Sequence, residues 1–93
     1  MSIVVRYQPA NLTADKYDAT TKQFEEAGVP WPPEGLDHHL CFGDDGNLKV
    51  SEVWDSREQW QAFADQLMPV LSEAGIEMSA EPEAFEVHSA TRR

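Results

Sequence analysis

The sequence predicts an α+β fold with the element order β-α-β-β-α-β. Three observations carry this prediction: two stretches with helical periodicity, four short stretches typical of strands, and turn signals between them. This order is typical of the ferredoxin-like arrangement, a four-stranded antiparallel sheet with both helices on one face. A chain of 93 residues has room for one domain, and we expect that domain to span residues 1–93.

The first strand and the first helix are separated by a proline and capped by a threonine. Ile3 to Gln8 is rich in β-branched residues and ends at Pro9, which favours a strand. Thr13 is a suitable N-cap for a helix that ends before Gly28. The connector that follows, VPWPPEG, is predicted to be stiff and non-helical because of its prolines.

A hairpin and a second helix follow the connector. Asp37 to Gly43 and Leu48 to Trp54 are predicted to be strands joined by a turn at DDGN. Ser56 is a good N-cap, and Gln59, three residues later, predicts a capping box. The helix then shows one apolar face at helical spacing: Trp60, Phe63, Ala64, Leu67, Val70, Leu71 and Ala74.

The end of the chain is predicted to hold one more strand. Pro69 lies inside the second helix, where it should kink the helix or weaken its hydrogen bonding near Asp65. Gly75 ends the helix, and after a linker Ala84 to Ser89 is predicted to be the last strand. Residues 90–93 are predicted to be a loose tail.

Composition narrows the classes of function. The net charge of −10 argues against nucleic acid and against an anionic membrane surface, and it favours a solvated acidic surface. No stretch has the length of a transmembrane helix or the pattern of a signal peptide, so we expect a cytoplasmic protein. The single cysteine, Cys41, cannot form an internal disulfide, and its apolar neighbours predict an inert thiol.

Both faces of the predicted sheet carry apolar side chains. Val4 lies opposite its neighbours on the first strand, and Leu40 and Phe42 lie opposite Cys41 on the second. The helices cover one face only, so the other face must meet solvent or another chain. We therefore predict a homodimer in which a second copy covers the open face.

The stretch DHHLC contains two adjacent histidines that point to opposite faces of one predicted strand. His38 and His39 are adjacent, so they point to opposite faces and cannot both bind one ion. The hairpin register places His39 opposite Glu52, on the face that also carries Cys41. A carboxylate beside an imidazole suits a general base, and it equally satisfies a buried histidine, so both interpretations stand.

Other candidate residues follow from the same register. A metal site could be imagined from His39, Cys41 and Glu52, but no further His or Cys lies near them in the inferred hairpin, so no metal is predicted. No cofactor is predicted either. The predicted catalytic residues are His39 and Glu52, and the predicted ligand-pocket residues are Cys41, Trp54, Trp60 and Trp31. The alternative for Trp31 is a hydrophobic plug over the end of the first helix. His88, in the last strand, is predicted to have a surface or dimer-contact role.

Gly35 to Ile76 carries a resemblance to a known family. Four motifs support it. They are Gly35 four residues before His39, the run Val53-Trp54-Asp55-Ser56, Phe63, and the segment Leu67-Met68-Pro69-Val70-Leu71. The chain resembles the dimeric α+β barrel superfamily, among small bacterial proteins related to the antibiotic-biosynthesis monooxygenases (ABM-like domains). The resemblance implies a homodimer with a ligand cavity in each subunit, and it favours His39 over His38.

The resemblance and the residues leave three functions open. The first is a cofactor-independent monooxygenase or isomerase that acts on a small aromatic or polyketide-like compound, with His39 as base and Glu52 as its orienter. The second is a non-catalytic module that binds or senses a small molecule, and the third is an accessory protein acting through its dimer surface. The predicted second helix, Ser56 to Ala74, lacks the histidine that many quinol monooxygenase and haem-degrading relatives carry there.

Overall fold

A computed structural model of the chain describes residues 2–91. Two helices and a four-stranded antiparallel sheet form the α+β ferredoxin-like fold that the element order predicts. The strands lie side by side in the order β2-β3-β1-β4. In chain order the elements are β1 (Ile3–Tyr7), α1 (Ala14–Glu26), β2 (Leu36–Phe42), β3 (Lys49–Trp54), α2 (Arg57–Glu73) and β4 (Glu83–Glu86).

The core lies between the two helices and one face of the sheet. Alternate residues of β1 and the end of β3 point toward the helices, and aromatic side chains of α1 and α2 pack onto them. Burial of each large apolar side chain contributes about 1.5–3 kcal/mol. The buried cluster consists of Ile3, Val5, Tyr7, Phe24, Trp54, Trp60, Phe63 and Ala64.

Both helices begin and end where their capping residues predict. The Thr13 side chain accepts a hydrogen bond from the backbone N–H of Lys16, and the Ser56 side chain accepts one from that of Gln59. The capping box at Ser56 is only half formed: Gln59 Oε1 accepts from the Ser56 hydroxyl at 3.0 Å instead of from a backbone N–H. At each C-terminus a glycine with positive φ and the residue after it donate backbone hydrogen bonds to carbonyls of the last helical turn.

α2 continues as one helix through Pro69 to Glu73. Pro69 has no N–H to donate to the carbonyl of Asp65, so the helix lacks one hydrogen bond there. No helix within residues 2–91 is long and apolar enough to cross a membrane.

The last strand is shorter than predicted. It ends at Glu86, and His88 lies in an exposed bend beyond the strand, which corrects its predicted place in an alternating strand. The reason is the partner strand: Ile3 pairs with Glu86, and one further bond joins the Val87 N–H to the Ser2 carbonyl before β1 runs out. Of the predicted tail, residues 90 and 91 are exposed and irregular, and residues 92–93 lie outside the described residues.

Candidate functional site

A bulge in β2 sets the orientation of the histidines. Leu36 pairs with Trp54 and His38 pairs with Val53, so Asp37 is an extra residue on this strand. The bulge brings Leu36 onto the helix-facing side, where strict alternation would place Asp37. Beyond it the register is regular, and His39 lies opposite Glu52, as the hairpin pattern predicts.

The two histidines occupy opposite faces of the sheet. The side chain of His39 is 18% exposed and lies on the helix-facing side, whereas that of His38 is 54% exposed. No group of three or more His, Cys, Asp or Glu side chains among the described residues is placed to hold a metal ion.

Glu52 is a buried carboxylate held by several donors. It is 2% exposed, and its Oε2 lies 2.6 Å from His39 Nδ1. Its Oε1 accepts a hydrogen bond from the indole N–H of Trp54 at 3.1 Å. An ionised carboxylate only accepts hydrogen bonds, so the proton in the His39 pair belongs on Nδ1. The pair therefore leaves Nε2 of the neutral imidazole as an acceptor.

Tyr17, on α1, supplies the group at the other ring nitrogen. Its hydroxyl lies 2.7 Å from His39 Nε2, and the two rings stack with centroids 6.0 Å apart. Burial, followed by the charges of Cys41, Glu52 and Asp18, raises the pKa of the phenol. Tyr17 thus remains a protonated donor, and the three side chains form a continuous line from Tyr17 through His39 to Glu52.

Sequence reasoning missed Tyr17. Its spacing with Thr20 and Phe24 predicts the packed face of α1, and that is where it lies. No local signal points from this helix to His39, because the contact joins residues 22 positions apart on different elements. A tyrosine on the packed face of the helix that covers a histidine-bearing strand was the one feature that could have suggested it.

Tyr7 adds a second phenol next to Glu52. It is 5% exposed on β1, and its oxygen accepts a hydrogen bond from the indole N–H of Trp60 at 2.9 Å. Burial first, and then the charge of Glu52 together with a hydrogen bond to that carboxylate, raise the pKa of Tyr7 well above its usual range. Trp60, Tyr7 and Glu52 thereby link α2 to the sheet through polar contacts inside the core.

A cavity of about 100 Å³ lies between α1, α2 and the sheet. It is larger than the space that one water needs and somewhat smaller than a cavity of about 150 Å³ that binds benzene. Tyr17, His39 and Glu52 contribute to its wall. Most of the remaining wall is apolar, formed chiefly by Leu12, Phe24, Val50, Phe63, Leu67, Leu71, Ile76 and Met78.

Trp31, on the proline-rich connector, forms part of the cavity wall. Its ring meets that of His39 edge-on, with centroids 5.1 Å apart, and also lies 6.2 Å from the ring of Phe63. The residue is 48% exposed. Trp31 therefore lies between His39 and solvent at one side of the cavity.

The other three predicted pocket residues lie elsewhere. Trp54 is fully buried and holds Glu52, and Trp60 is buried and holds Tyr7, so each acts on the site through a residue of the wall. Cys41 is half-buried beside the cavity and does not contribute to its wall. Burial, and then the charge of Asp18, raise the pKa of its thiol, which disfavours the nucleophilic thiolate.

Solved structures share this fold along nearly the whole chain. A candidate antibiotic biosynthesis monooxygenase from Deinococcus radiodurans is 16% identical with a TM-score of 0.61, over 100% of this chain and 98% of that one. SnoaB, a cofactor-independent oxygenase from Streptomyces nogalater, is 15% identical with a TM-score of 0.59, over 99% and 96%. A heme-degrading protein from Mycobacterium tuberculosis is 20% identical with a TM-score of 0.54, over 99% and 100%.

The fold is that of the ABM-like domains. This confirms the fold that the resemblance of Gly35 to Ile76 implies. No family model matches the chain, and no curated protein matches it in sequence. The three structures are at most 20% identical to this chain, so they establish its ABM-like fold and leave its activity to be argued from its own residues.

Proposed function

We propose that the protein is a cofactor-independent monooxygenase that acts on a small aromatic or polyketide-like compound. The observation that carries the proposal is the line of hydrogen bonds from Tyr17 through His39 to Glu52 at the wall of an otherwise apolar cavity. A base needs a second group that orients it and stabilises its protonated form, and Glu52 fills both roles for His39. The fold shared with a cofactor-independent oxygenase supports the same reaction class.

The first step is proton abstraction by His39. A ligand that approaches Nε2 displaces the Tyr17 hydroxyl, and its acidic C–H proton moves to that nitrogen while the bonding electron pair stays on the ligand. Glu52 keeps its hydrogen bond to Nδ1 and stabilises the imidazolium that forms. The aromatic ring and a neighbouring carbonyl spread the negative charge of the ligand.

The second step uses dioxygen as the co-reactant. The ligand anion transfers electrons to dioxygen and forms a carbon–oxygen bond, which gives a peroxide. Protonation of the outer oxygen and loss of the remaining C–H proton break the oxygen–oxygen bond. A CH2 group and O2 thus become a carbonyl group and water. Tyr17, whose pKa is raised, donates a hydrogen bond to the developing peroxide anion.

Two measurements test the two steps separately. We use 2-indanone and anthrone as probes, because both carry an acidic CH2 group beside an aromatic ring. Loss of the CH2 proton signal in D2O under argon reports proton abstraction. Oxygen uptake, with a product heavier by one oxygen and lighter by two hydrogens, reports oxygenation. Exchange with return of the proton to another carbon, and without oxygen uptake, would indicate an isomerase.

His39→Gln is the decisive variant and His88→Gln its control. We expect His39→Gln to slow the exchange by about 10²-fold or more, since general-base catalysis typically contributes that much. His88 is exposed and does not contribute to the cavity wall, so His88→Gln should leave the rate unchanged. Equal rates in both variants would remove His39 from the mechanism.

A second candidate function is a module that binds a small molecule without chemistry. The specific observation in its favour is that both nitrogens of His39 already have partners, Tyr17 and Glu52. Such a satisfied imidazole can serve the fold alone. Saturable binding of the probes without any proton exchange would favour this function, and His39→Gln would then leave binding intact.

We further propose that the protein is a homodimer that pairs through the open face of the sheet. Large apolar side chains lie exposed on that face: Leu40 is 62% exposed, Phe42 47% and Phe85 51%. Val4 pairs with both Phe85 and Val53, and Val53 pairs with His38, which shares its face of β2 with Leu40 and Phe42. These residues therefore lie on one face of the sheet. An exposed apolar sheet of this kind typically marks an interaction site.

A further inference from the structure

The polar groups that face the cavity are concentrated around His39. Tyr17 offers one hydroxyl, His39 one nitrogen, and Glu52 lies directly behind them. The hydroxyls of Thr20 and Thr21, which also contribute to the wall, are already bonded to backbone carbonyls of α1. Apart from Glu25, which is exposed, the wall therefore offers a ligand one polar end in a mostly apolar space, which suits one hydroxyl group attached to a ring.

The described cavity wall contains carboxylates and no ammonium or guanidinium group. Glu52 and Glu25 contribute to it, and no lysine or arginine within residues 2–91 does. Two lysines are turned to backbone carbonyls, Lys16 to that of Gly75 and Lys49 to that of Pro9, each at 3.3 Å. An anionic ligand thus finds no counter-charge other than His39.

His39 does not supply that counter-charge in full. When protonated, it is already paired with Glu52 at 2.6 Å, so the pair as a whole is neutral. A ligand carboxylate at Nε2 would place a second negative charge beside the same imidazole. In a largely apolar, partly open site that charge loses part of its hydration without an equal gain.

We propose that the cavity selects uncharged hydroxylated aromatic ligands and rejects aromatic carboxylates of the same size. This rests on the proposed function, since it describes the ligand of the same site. A phenol hydroxyl can accept from Tyr17 or donate to His39 Nε2, so it replaces the hydrogen bond that it breaks. Its ring then packs against Phe24 and Phe63.

The first experiment compares 4-methylphenol with 4-methylbenzoate at pH 7, by calorimetric titration of the full chain. The two probes share a methylated ring and differ in the polar group, which is neutral in the phenol and ionised in the benzoate. We expect the phenol to bind more than about tenfold tighter. Equal affinity, tighter binding of the benzoate, or binding of neither probe at millimolar concentration would overturn the proposal.

The second experiment changes the charge of the cavity wall. Glu25 and Glu26 are neighbours and both exposed on α1, but only Glu25 contributes to the wall. Glu25→Lys should raise the affinity for 4-methylbenzoate by about fivefold or more. Glu26→Lys alters the net charge equally and should change the affinity less than about twofold. The same effect in both variants would mean that net charge, not the wall, sets the preference.

Binding and turnover separate this inference from the proposed function. A protein that prefers the phenol and neither exchanges protons nor takes up oxygen would leave the ligand preference standing and overturn the monooxygenase. A protein that takes up oxygen with 2-indanone or anthrone and binds the benzoate as tightly as the phenol would overturn the ligand preference and leave the monooxygenase standing.

Discussion

At the scale of single residues, Glu52 organises the candidate site. It is buried, it accepts from Trp54, and it holds one nitrogen of His39. Burial of an ionised carboxylate is costly unless donors surround it, and these indole and imidazole N–H groups are such donors. The geometry of His39 therefore depends on the charge and shape of Glu52.

Glu52→Gln should change the tautomer of His39. The indole of Trp54 can only donate, so the single oxygen of the new amide is required there. The amide NH2 group then faces His39 Nδ1, which must accept, and the ring proton moves to Nε2. Nitrogen-15 NMR of the neutral imidazole should report Nδ1–H in the wild type and Nε2–H in the variant. An unchanged tautomer would contradict this hydrogen-bond assignment.

The two tyrosines should titrate late in the folded protein. Tyr7 and Tyr17 are the only tyrosines, and both pKa values are raised above the usual 10.0. Ultraviolet absorbance of tyrosinate should show both midpoints above that of the urea-unfolded chain. Because the unfolded state loses these protons first, the stability that they contribute is fully present below pH 10.0 and declines as pH rises through the folded pKa values. Unfolding midpoints in urea should fall accordingly.

The pairing of His39 with Glu52 could be predicted from the sequence, and Tyr17 could not. A hairpin register follows from a short turn and an alternating pattern, which are local signals. The Tyr17 contact depends on where α1 crosses the sheet, which no local pattern encodes. The same limit applies to Trp60, whose indole N–H donates to Tyr7 on another element. Trp54 differs, because it lies two residues from Glu52 on the same strand and alternation places both on one face.

At the scale of elements, Gly35 and the bulge after it control how β2 begins. Gly35 has φ +92°, and a Cβ at this position would lie 2.5 Å from the Gln59 side chain of α2. Its carbonyl accepts from the backbone N–H of Asp55 at 2.8 Å, which ties the start of β2 to the end of β3. The bulge at Asp37 follows at once and brings Leu36 inside.

Gly35→Ala should destabilise the protein more than Gly28→Ala does. Both glycines have positive φ, which costs an alanine about 1 kcal/mol or somewhat more. At Gly28 nothing lies within 4 Å of the added Cβ, whereas at Gly35 the side chain of Gln59 must move away from the cap of α2. The difference in free energy of unfolding, measured in urea, checks this. Equal losses would show that Gln59 adapts without cost.

Ser56→Ala should cost about 1 kcal/mol of stability, because its hydroxyl caps the first turn of α2. Ser72→Ala is the matched control, since Ser72 is exposed near the other end of the same helix and alanine favours a helix interior. Thermal unfolding should therefore shift down for the first variant and stay level or rise slightly for the second. A similar shift in both would contradict the capping role.

At the scale of the whole molecule, the helices cover one face of the sheet and leave the other apolar. Leu40, Phe42 and Phe85 are exposed on that face. A chain of 93 residues buries a modest part of its surface by itself, so the proposed partner on this face would add to its stability.

Leu40→Glu should weaken the proposed homodimer, and Met68→Glu should not. Both change an exposed apolar residue to the same acid, but Met68 lies on α2, away from the open face of the sheet. Sedimentation at micromolar concentration should report a dimer for the wild type and for Met68→Glu, and a larger monomer fraction for Leu40→Glu. A monomeric wild type would contradict the dimer.

The sequence by itself determined the element order, the helix caps and the hairpin register, because periodicity, capping and turn chemistry act within a few residues. It also separated His38 from His39, since neighbours on a strand point to opposite faces. Only the tertiary structure decided that the bulge brings Leu36 inside, that β4 stops where β1 does, and that Tyr17 reaches His39. Each of these depends on contacts between elements distant in the chain, and those contacts exist only once the helices have packed onto the sheet.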